Sequence, residues 1–147
     1  MVHSLTAIAR RLNFITETEG PNAGAWVNFL QRFCGGQSGE SWCCYFISVV
    51  EDIAYHGKSP SIRTGSCMVK LKEAKAKGWV VTTPQVDDLY FYVNPAGHAH
   101  HIGIVTAVSP ALTGIAGNTS PDGKSSNGIG VFEHGISSKS VFVRLPK

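Results

Sequence analysis

The chain has 147 residues, 43% of them apolar, which is typical of one ordinary globular domain, so we expect a single domain over residues 1–147. Its 13 Lys and Arg residues barely outnumber its 10 Asp and Glu residues and are mostly scattered, which argues against a nucleic-acid partner. The sequence has neither a signal-peptide pattern at its N-terminus nor an apolar run long enough to span a bilayer, so we expect synthesis in the cytoplasm and no membrane span.

The first half of the sequence predicts four helices. Ser4 is a suitable N-cap for a helix in "LTAIARRLNF", and "AGAWVNFLQRF" repeats the apolar helical spacing after a turn. A glycine-rich corner, "CGGQSGE", then precedes a third helix in "SWCCYFISVVEDIAYHG", which Gly57 closes. The fourth helix is predicted over 66–78, where lysines fill the last turn, as a helix C-terminus favours.

The second half of the sequence predicts strands. Short runs of Val, Ile, Phe and Tyr are separated by Pro, Gly, Asn and Ser: "GWVV", "DLYFYV", "HIGIVTAV", "TGIAGN", "GIGVFEH" and "SVFVRL". The segment "NTSPDGKSSNG", 118–128, is predicted to be a long flexible loop. Helices followed by strands indicate an α+β domain in which N-terminal helices pack on a mainly antiparallel sheet.

The sequence has four cysteines: Cys34, Cys43, Cys44 and Cys67. None has C-x-x-C spacing, and we expect all of them to be free thiols. A helical wheel over residues 42–55 predicts an apolar side formed by Trp42, Cys43, Phe46, Ile47, Val49, Val50, Ile53 and Ala54. It predicts a polar side formed by Cys44, Tyr45, Ser48, Glu51, Asp52 and Tyr55.

Cys43 has two interpretations at this point. A free cysteine on an apolar helix face is most often a small core residue. Cys43 also lies in the first turn of its helix, where free backbone N–H groups and the helix dipole stabilise a thiolate, so it is a candidate nucleophile. The availability of a base decides between the two.

Three of the six histidines crowd into "GHAHHIGIV". Strand alternation puts His101 on a face with Gly103, Val105 and Ala107, and such small residues would let a helix approach and bring His101 towards Cys43. His98 and His100 are expected to lie in the preceding loop, in solvent. A zinc site is a less favoured alternative, because no ligand pair has the usual spacing, and we expect no metal and no cofactor.

Asn118, in "IAGNTS", follows the next strand. A neutral imidazole that accepts a thiol proton at one nitrogen needs its other nitrogen held by an acceptor, and the Asn118 amide can supply one. Asn118 is equally well interpreted as a turn residue next to Gly117.

The segments "ESWCCYFISVV", "HHIGIV" and "AGNTSPDGKSSNGIGVF" together resemble the signature segments of the CHAP domain, the cysteine- and histidine-dependent amidohydrolase/peptidase of phage endolysins. "ETEGPNAGAWVNFL" is similar to the region that precedes the nucleophile in endolysin members. The resemblance implies a papain-like fold, with Cys43 as nucleophile, His101 as base and Asn118 as the orienting residue. Two positions depart from the family: Ala116 stands where many members have Glu or Asp, and Asp87 stands where they have Gly.

The resemblance also implies a thiolate mechanism on an amide bond of bacterial peptidoglycan, either the N-acetylmuramoyl-L-alanine bond or a bond within the peptides. The backbone N–H of Cys43 is expected to stabilise the oxyanion, with help from Gln37. Trp42 lines the substrate groove in one interpretation and packs against the helix in the other.

The expected role is that of an endolysin, which waits in the host cytoplasm and then acts on the cell wall, without a separate wall-binding domain. We take a monomer as the working hypothesis. Three alternatives stay open: a secreted antibacterial amidase effector, a non-catalytic wall-binding module and a zinc-dependent hydrolase.

Overall fold

The helices of the described residues lie in the first half of the chain. The computed structural model describes residues 1–125 and 127–147; Ser126, inside the predicted 118–128 loop, lies outside the described residues. The helices are α1 (Leu5–Arg11), α2 (Ala25–Phe33), α3 (Cys43–Ala54) and α4 (Cys67–Ala76). Each lies where the sequence predicted a helix. None of them is long and apolar enough to cross a membrane.

The strands follow the helices and form one sheet. They are β1 (Val80–Val81), β2 (Leu89–Val93), β3 (Ala99–Ala107), β4 (Thr113–Thr119), β5 (Gly130–Gly135) and β6 (Val141–Val143). The strand order is β1-β6-β2-β3-β4-β5, and every neighbouring pair is antiparallel. The predicted α+β class, with helices before an antiparallel sheet, is therefore confirmed.

Local chemistry explains where the helices begin and end. The Ser4 hydroxyl accepts a hydrogen bond from the Ala7 N–H at 3.2 Å, which confirms the predicted N-cap of α1. Ser66 caps α4 in the same way. After α3, Gly57 adopts a left-handed φ of +80° and its N–H binds the Asp52 carbonyl at 2.8 Å, as a helix C-terminus commonly requires.

Helix α3 is buried on nearly every side, so the helical wheel was wrong about its polar face. Four residues assigned to that face are buried: Cys44, Tyr45, Ser48 and Glu51. Ile53, assigned to the apolar side, is 45% exposed. The buried polar groups have partners in the segment before α4, where the Thr64 carbonyl accepts from the Ser48 hydroxyl at 2.8 Å. That segment covers the side of α3 that the sequence pattern assigned to solvent.

The two faces of the sheet are covered differently. Three isoleucines on one face belong to the main core with the helices: Ile102, Ile104 and Ile115. On the other face lies a smaller cluster of Tyr90, Val105, Ala116 and Phe142. The prediction that a helix would use the small residues beside His101 is wrong, because the Tyr90 ring fills the space next to Gly103. Cys43 approaches His101 near the start of β3 instead.

Candidate active site

Cys43 is the first residue of α3, and its thiol is almost fully buried, with 3% of the residue exposed. Trp42, just before it, donates its indole N–H to the Glu17 carboxylate at 3.0 Å. Gly117 of β4 has no side chain, and this lets the Trp42 ring lie against the strand; a Cβ at that position would be 2.8 Å from the ring. The start of α3 is thus held against β4, so the position of the Cys43 thiol is fixed by the core.

His101 is the neighbour of Cys43 on the sheet. It is fully buried in β3, opposite Tyr92 of β2. The imidazole lies close enough to Cys43 to lower the pKa of the thiol through a hydrogen bond and through its charge. Neither ring nitrogen has a partner with ordinary hydrogen-bond geometry among the described residues, so the contact with the thiol is a loose one. Such loose contacts are common in catalytic pairs without substrate.

Asn118 lies on the strand next to His101. Ile104 pairs with Ile115 across β3 and β4, so His101, near the start of β3, and Asn118, near the end of β4, lie towards the same end of this antiparallel strand pair. Asn118 is fully buried, and its amide N–H donates to the Ser41 hydroxyl at 2.7 Å. Its side-chain oxygen has no partner among the described residues and so remains free to accept from an imidazole N–H.

The backbone at Asn118 is as unusual as its burial. Its φ is +55°, a left-handed conformation that asparagine tolerates better than most residues. The β4–β5 register shifts between Ala116 and Thr119, on either side of it. Bulges and left-handed residues re-aim side chains and are enriched at functional sites. The geometry of Asn118 is therefore compatible with either interpretation, a turn residue or an orienting residue.

Cys67 lies beside Cys43, although no spacing pattern of the cysteines predicted this contact. The two sulfur atoms are 3.7 Å apart, and both residues begin a helix. The hydrogen bond to Cys67 is the largest cause that raises the pKa of Cys43 well above its ordinary value, and burial adds to the rise. Both contributions favour the neutral thiol over the thiolate, and His101 opposes them.

Tyr90 is a second residue that sequence reasoning missed. It is fully buried, and its hydroxyl has no hydrogen-bond partner within the described part of the chain. Burial raises the pKa of this hydroxyl well above the ordinary value, and Tyr92 and Cys43 add to the rise. The signal available in the sequence was the alternation of "LYFYV", which puts Tyr90 and Tyr92 on one face, the face of His101.

The two weaker sequence candidates have different surroundings. Trp42 is fully buried, which favours its packing role over an exposed place in a groove. Gln37 is exposed, and its backbone N–H donates to the Glu40 carboxylate, which fixes the loop before α3. His98 and His100 are exposed, as predicted, although His100 is already part of β3.

An open cavity of about 300 Å³ lies beside the start of α3. Its lining consists of Glu40, Ser41, Tyr45, Thr64, Gly65 and Ser66. Ser41 connects the cavity to the site, because the same hydroxyl accepts from Asn118. The Tyr45 hydroxyl donates to the Glu40 carboxylate at 3.0 Å, so the cavity presents a negative charge and several hydroxyl groups to an incoming molecule.

Within residues 1–125 and 127–147, no three His, Cys, Asp or Glu side chains are grouped so that they could hold a metal ion. All four cysteines are free, as the sequence predicted. No family model, curated protein or solved structure matches this chain. The chemistry of the buried Cys43, His101 and Asn118 therefore carries the functional argument.

Proposed function

We propose that this chain is a CHAP-type cysteine hydrolase that cleaves an amide bond of bacterial peptidoglycan. The observation that carries the proposal is the buried group of Cys43, His101 and Asn118. A thiol at the start of a helix faces an imidazole, and an amide oxygen without a partner lies on the strand beside that imidazole. These are the nucleophile, base and orienting group that thiolate catalysis on an amide requires.

The arrangement of elements supports a papain-like fold as part of the proposal. The helix that carries Cys43 packs against an antiparallel sheet, and adjacent strands of that sheet carry His101 and Asn118. A papain-like site has the same division, with the nucleophile on a helix and the other two groups on the sheet. Fold alone does not give function, so this support is secondary to the three side chains.

The departure from the CHAP pattern at Asp87 is accommodated by the backbone. Asp87 has a φ of +76°, the left-handed region that glycine adopts without strain, so it keeps the turn that a glycine makes in the family. Its carboxylate also accepts the Thr6 N–H at 2.8 Å and the Ser4 hydroxyl at 3.1 Å at the start of α1. This departure replaces a permissive glycine with a helix-capping side chain.

The departure at Ala116 leaves the orienting role to Asn118. Ala116 is fully buried in the small apolar cluster beneath Tyr90, so no carboxylate is available at that position. The Asn118 oxygen has no partner among the described residues, and Asn118 lies on the strand next to that of His101.

The proposed reaction begins with transfer of the Cys43 thiol proton to His101. The thiolate attacks the amide carbonyl carbon, and the backbone N–H of Cys43 stabilises the oxyanion, with Gln37 as a further donor from the preceding loop. His101 then gives the proton to the leaving nitrogen, the C–N bond breaks, and a thioester remains on Cys43. Water, deprotonated by His101, hydrolyses the thioester and restores the thiol.

The cavity beside Ser41 is the proposed site of the peptide on one side of the cleaved bond. Its Glu40 carboxylate favours a positively charged group, and a peptide of the wall offers amino groups as well as amide N–H donors. Ser41, which lines this cavity, is two residues before Cys43 in the chain, so we propose the cavity as the route to the buried thiol.

The experiment that tests the proposal is digestion of purified peptidoglycan by the wild type and by Cys43→Ala, followed by mass spectrometry of the soluble fragments. Free stem peptides and intact glycan would identify an amidase, and cleaved peptides still bound to muramic acid would identify an endopeptidase. Equal release by a folded Cys43→Ala protein, or no release from walls of several chemical types, would overturn the proposal in favour of a binding module. Loss of activity to a chelator but not to a thiol reagent would overturn it in favour of a zinc enzyme.

The endolysin role is the part of the proposal that rests on the resemblance of the sequence segments. A secreted amidase effector would use the same three side chains. A holin gene beside the coding sequence would support the endolysin role, and an immunity gene there would replace it with the effector role.

A further inference from the structure

Two buried thiols meet at the proposed nucleophile. The sulfur atoms of Cys43 and Cys67 are 3.7 Å apart, and the two residues are 3% and 8% exposed. They begin different helices, α3 and α4, and are separated by 24 residues in the chain. The proposed amide chemistry uses the Cys43 thiol as its nucleophile. The Cys67 thiol is not a reactant in it.

The separation is short enough for a covalent bond to form after a small movement. A disulfide has a sulfur–sulfur distance of about 2.0 Å, so the two sulfurs must approach by roughly 1.7 Å. Cys67 is also at the first position of its helix, just after the irregular segment that leads from α3 to α4, where small backbone shifts are cheaper than in a helix interior.

We propose that Cys43 and Cys67 are a modification site: a hydroperoxide oxidises them to a reversible intramolecular disulfide, and this bond blocks the nucleophile. Formation of the disulfide depends only on the two thiols. Loss of activity on oxidation rests in addition on the proposed hydrolase function.

The oxidation balances as a two-electron step. The Cys43 sulfur attacks one oxygen of hydrogen peroxide, the O–O bond breaks, and a sulfenic acid and one water form. The Cys67 sulfur then attacks the Cys43 sulfur, the S–O bond breaks, and the released hydroxide takes the Cys67 proton to give a second water. Sulfur is oxidised, peroxide oxygen is reduced, and a dithiol such as dithiothreitol reverses the product by exchange.

The other two cysteines provide matched controls. Cys44 is adjacent to Cys43 and fully buried, but its thiol donates to the Thr64 carbonyl at 3.3 Å. Cys34 is half-buried beside Arg63, away from the pair, and burial raises its pKa to about 11. Cys44 also approaches Cys67 and is therefore a competing partner, so the test needs a variant without Cys44.

Disulfide mapping of the full chain tests the site without any assay of activity. The reduced protein is treated with hydrogen peroxide, alkylated and digested with trypsin, which places Cys34, Cys43 and Cys44 in peptide 33–58 and Cys67 in peptide 64–70. We expect the two peptides to appear linked, with a mass lower by two hydrogen atoms than their sum. The same experiment on Cys34→Ser/Cys44→Ser, which retains only the proposed pair, assigns the bond to Cys43.

The activity arm uses Cys67→Ser and, as its control, Cys44→Ser. Peroxide should lower wall hydrolysis by the wild type and by Cys44→Ser at least about tenfold, because a disulfide sulfur is not a nucleophile, and dithiothreitol should restore it. Cys67→Ser should lose activity irreversibly, because its sulfenic acid has no resolving thiol and oxidises further.

The outcomes separate the two claims. A linked peptide pair in a protein that hydrolyses no wall would uphold the modification site and overturn the proposed function. Activity without a linked pair, or a link that disappears in Cys34→Ser/Cys44→Ser, would overturn the modification site. The linked peptides are first sought in the wild-type chain, and the result for Cys34→Ser/Cys44→Ser counts only if thermal unfolding shows that this variant is folded.

Discussion

Helix α3 buries polar groups at two places, and the two places differ in how those groups are paired. Near its end, Glu51 meets Lys70: the ammonium lies 3.0 Å and 2.8 Å from the two carboxylate oxygens and also donates to the Ser61 hydroxyl at 2.8 Å. At its start, Cys43 lies beside His101 and Asn118, whose imidazole nitrogens and amide oxygen have no hydrogen-bond partner among the described residues.

We interpret the Lys70 cluster as structural and the Cys43 cluster as the proposed catalytic site. Leaving a buried donor or acceptor unpaired costs about 1–3 kcal/mol, so a fold retains such groups only where something else requires them. The Lys70 ammonium donates to Glu51, to the Ser61 hydroxyl and to the Ile62 carbonyl, although one Glu51 oxygen has only the ion pair and no well-aligned hydrogen bond among the described residues. In the proposed function, the unpaired groups of the Cys43 cluster serve proton transfer and substrate binding. Breaking the Lys70 cluster should therefore mainly lower stability, and breaking the Cys43 cluster should mainly lower activity.

The largest expected effect is that of Cys43→Ala on hydrolysis. Removal of the nucleophile should lower kcat by at least about a thousandfold, as removal of a catalytic nucleophile does in general. Cys44→Ala is the control: its thiol donates to the Thr64 carbonyl and also approaches Cys67, but it has no part in the proposed reaction, so most of the activity should remain, with a moderate loss of stability from the buried cavity. Initial rates on soluble wall fragments and thermal unfolding of both variants provide the measurement. Equal loss of activity in two folded variants would mean that the nucleophile is misassigned.

The next effect distinguishes the base from its orienting residue. His101→Ala should lower kcat by about 10²–10⁴. The loss at Asn118 should be smaller, because that side chain carries no proton. Asn118→Gly is the informative variant, since glycine accepts the φ of +55° and only the amide is lost, whereas Asn118→Ala adds backbone strain.

Kinetics and thermal unfolding of the three variants provide the measurement. Asn118→Gly should be more stable than Asn118→Ala, because only the alanine variant is strained. A greater loss of kcat in folded Asn118→Gly than in His101→Ala would contradict the assigned roles.

Most of the secondary structure could be predicted from the sequence. All four helices and six strands lie where the apolar spacing and the turn residues predicted them, and the Ser4 N-cap is confirmed. The errors came from tertiary contacts. The wheel treated Ser48 and Glu51 as solvent-facing, but residues from the segment before α4 and from α4 itself cover that side of the helix. The hydrophobic periodicity of a helix does not show whether a segment distant in the chain packs over its polar side.

Only part of the candidate active site could be predicted from the sequence. Spacing and chain order nominated Cys43, His101 and Asn118, because each residue type lies at the end or start of a predicted element. Cys67 and Ser41 were not nominated, since their contacts depend on how α4 and the loop before α3 fold back. The direction of approach to His101 was also wrong, because Tyr90 fills the face that the small residues had left open.

The third prediction breaks the paired cluster. Lys70→Met leaves the Glu51 carboxylate buried without its cation, and should lower the free energy of unfolding by about 3 kcal/mol at neutral pH. Glu51→Leu/Lys70→Met should recover most of that loss, because two apolar side chains need no partner. Denaturant unfolding provides the measurement, and a double variant as unstable as the single one would show that the charges stabilise the fold.

Acid provides a further check of the same variant. Burial raises the pKa of the Glu51 carboxyl above its ordinary value, and Lys70 opposes the rise. In Lys70→Met the opposition is gone, and a carboxyl with a raised folded-state pKa favours the fold when it is protonated. The stability lost by Lys70→Met should therefore return as the pH falls below that raised pKa, whereas the double variant should show no such recovery.

The smallest expected effect concerns the pKa of Cys43. Its hydrogen bond with Cys67 is the largest cause that raises the pKa of this thiol, so Cys67→Ala should lower the pKa and move the reactivity profile to lower pH. The rate of alkylation by iodoacetamide against pH measures this without substrate, because only the thiolate reacts. The matched pair is Cys34→Ser/Cys44→Ser with and without Cys67→Ala, so that Cys43 is the thiol common to both proteins. His101 stays in place in both and lowers the pKa of Cys43 in each, so a profile that stays fixed or moves to higher pH would mean that burial, rather than Cys67, keeps the nucleophile protonated.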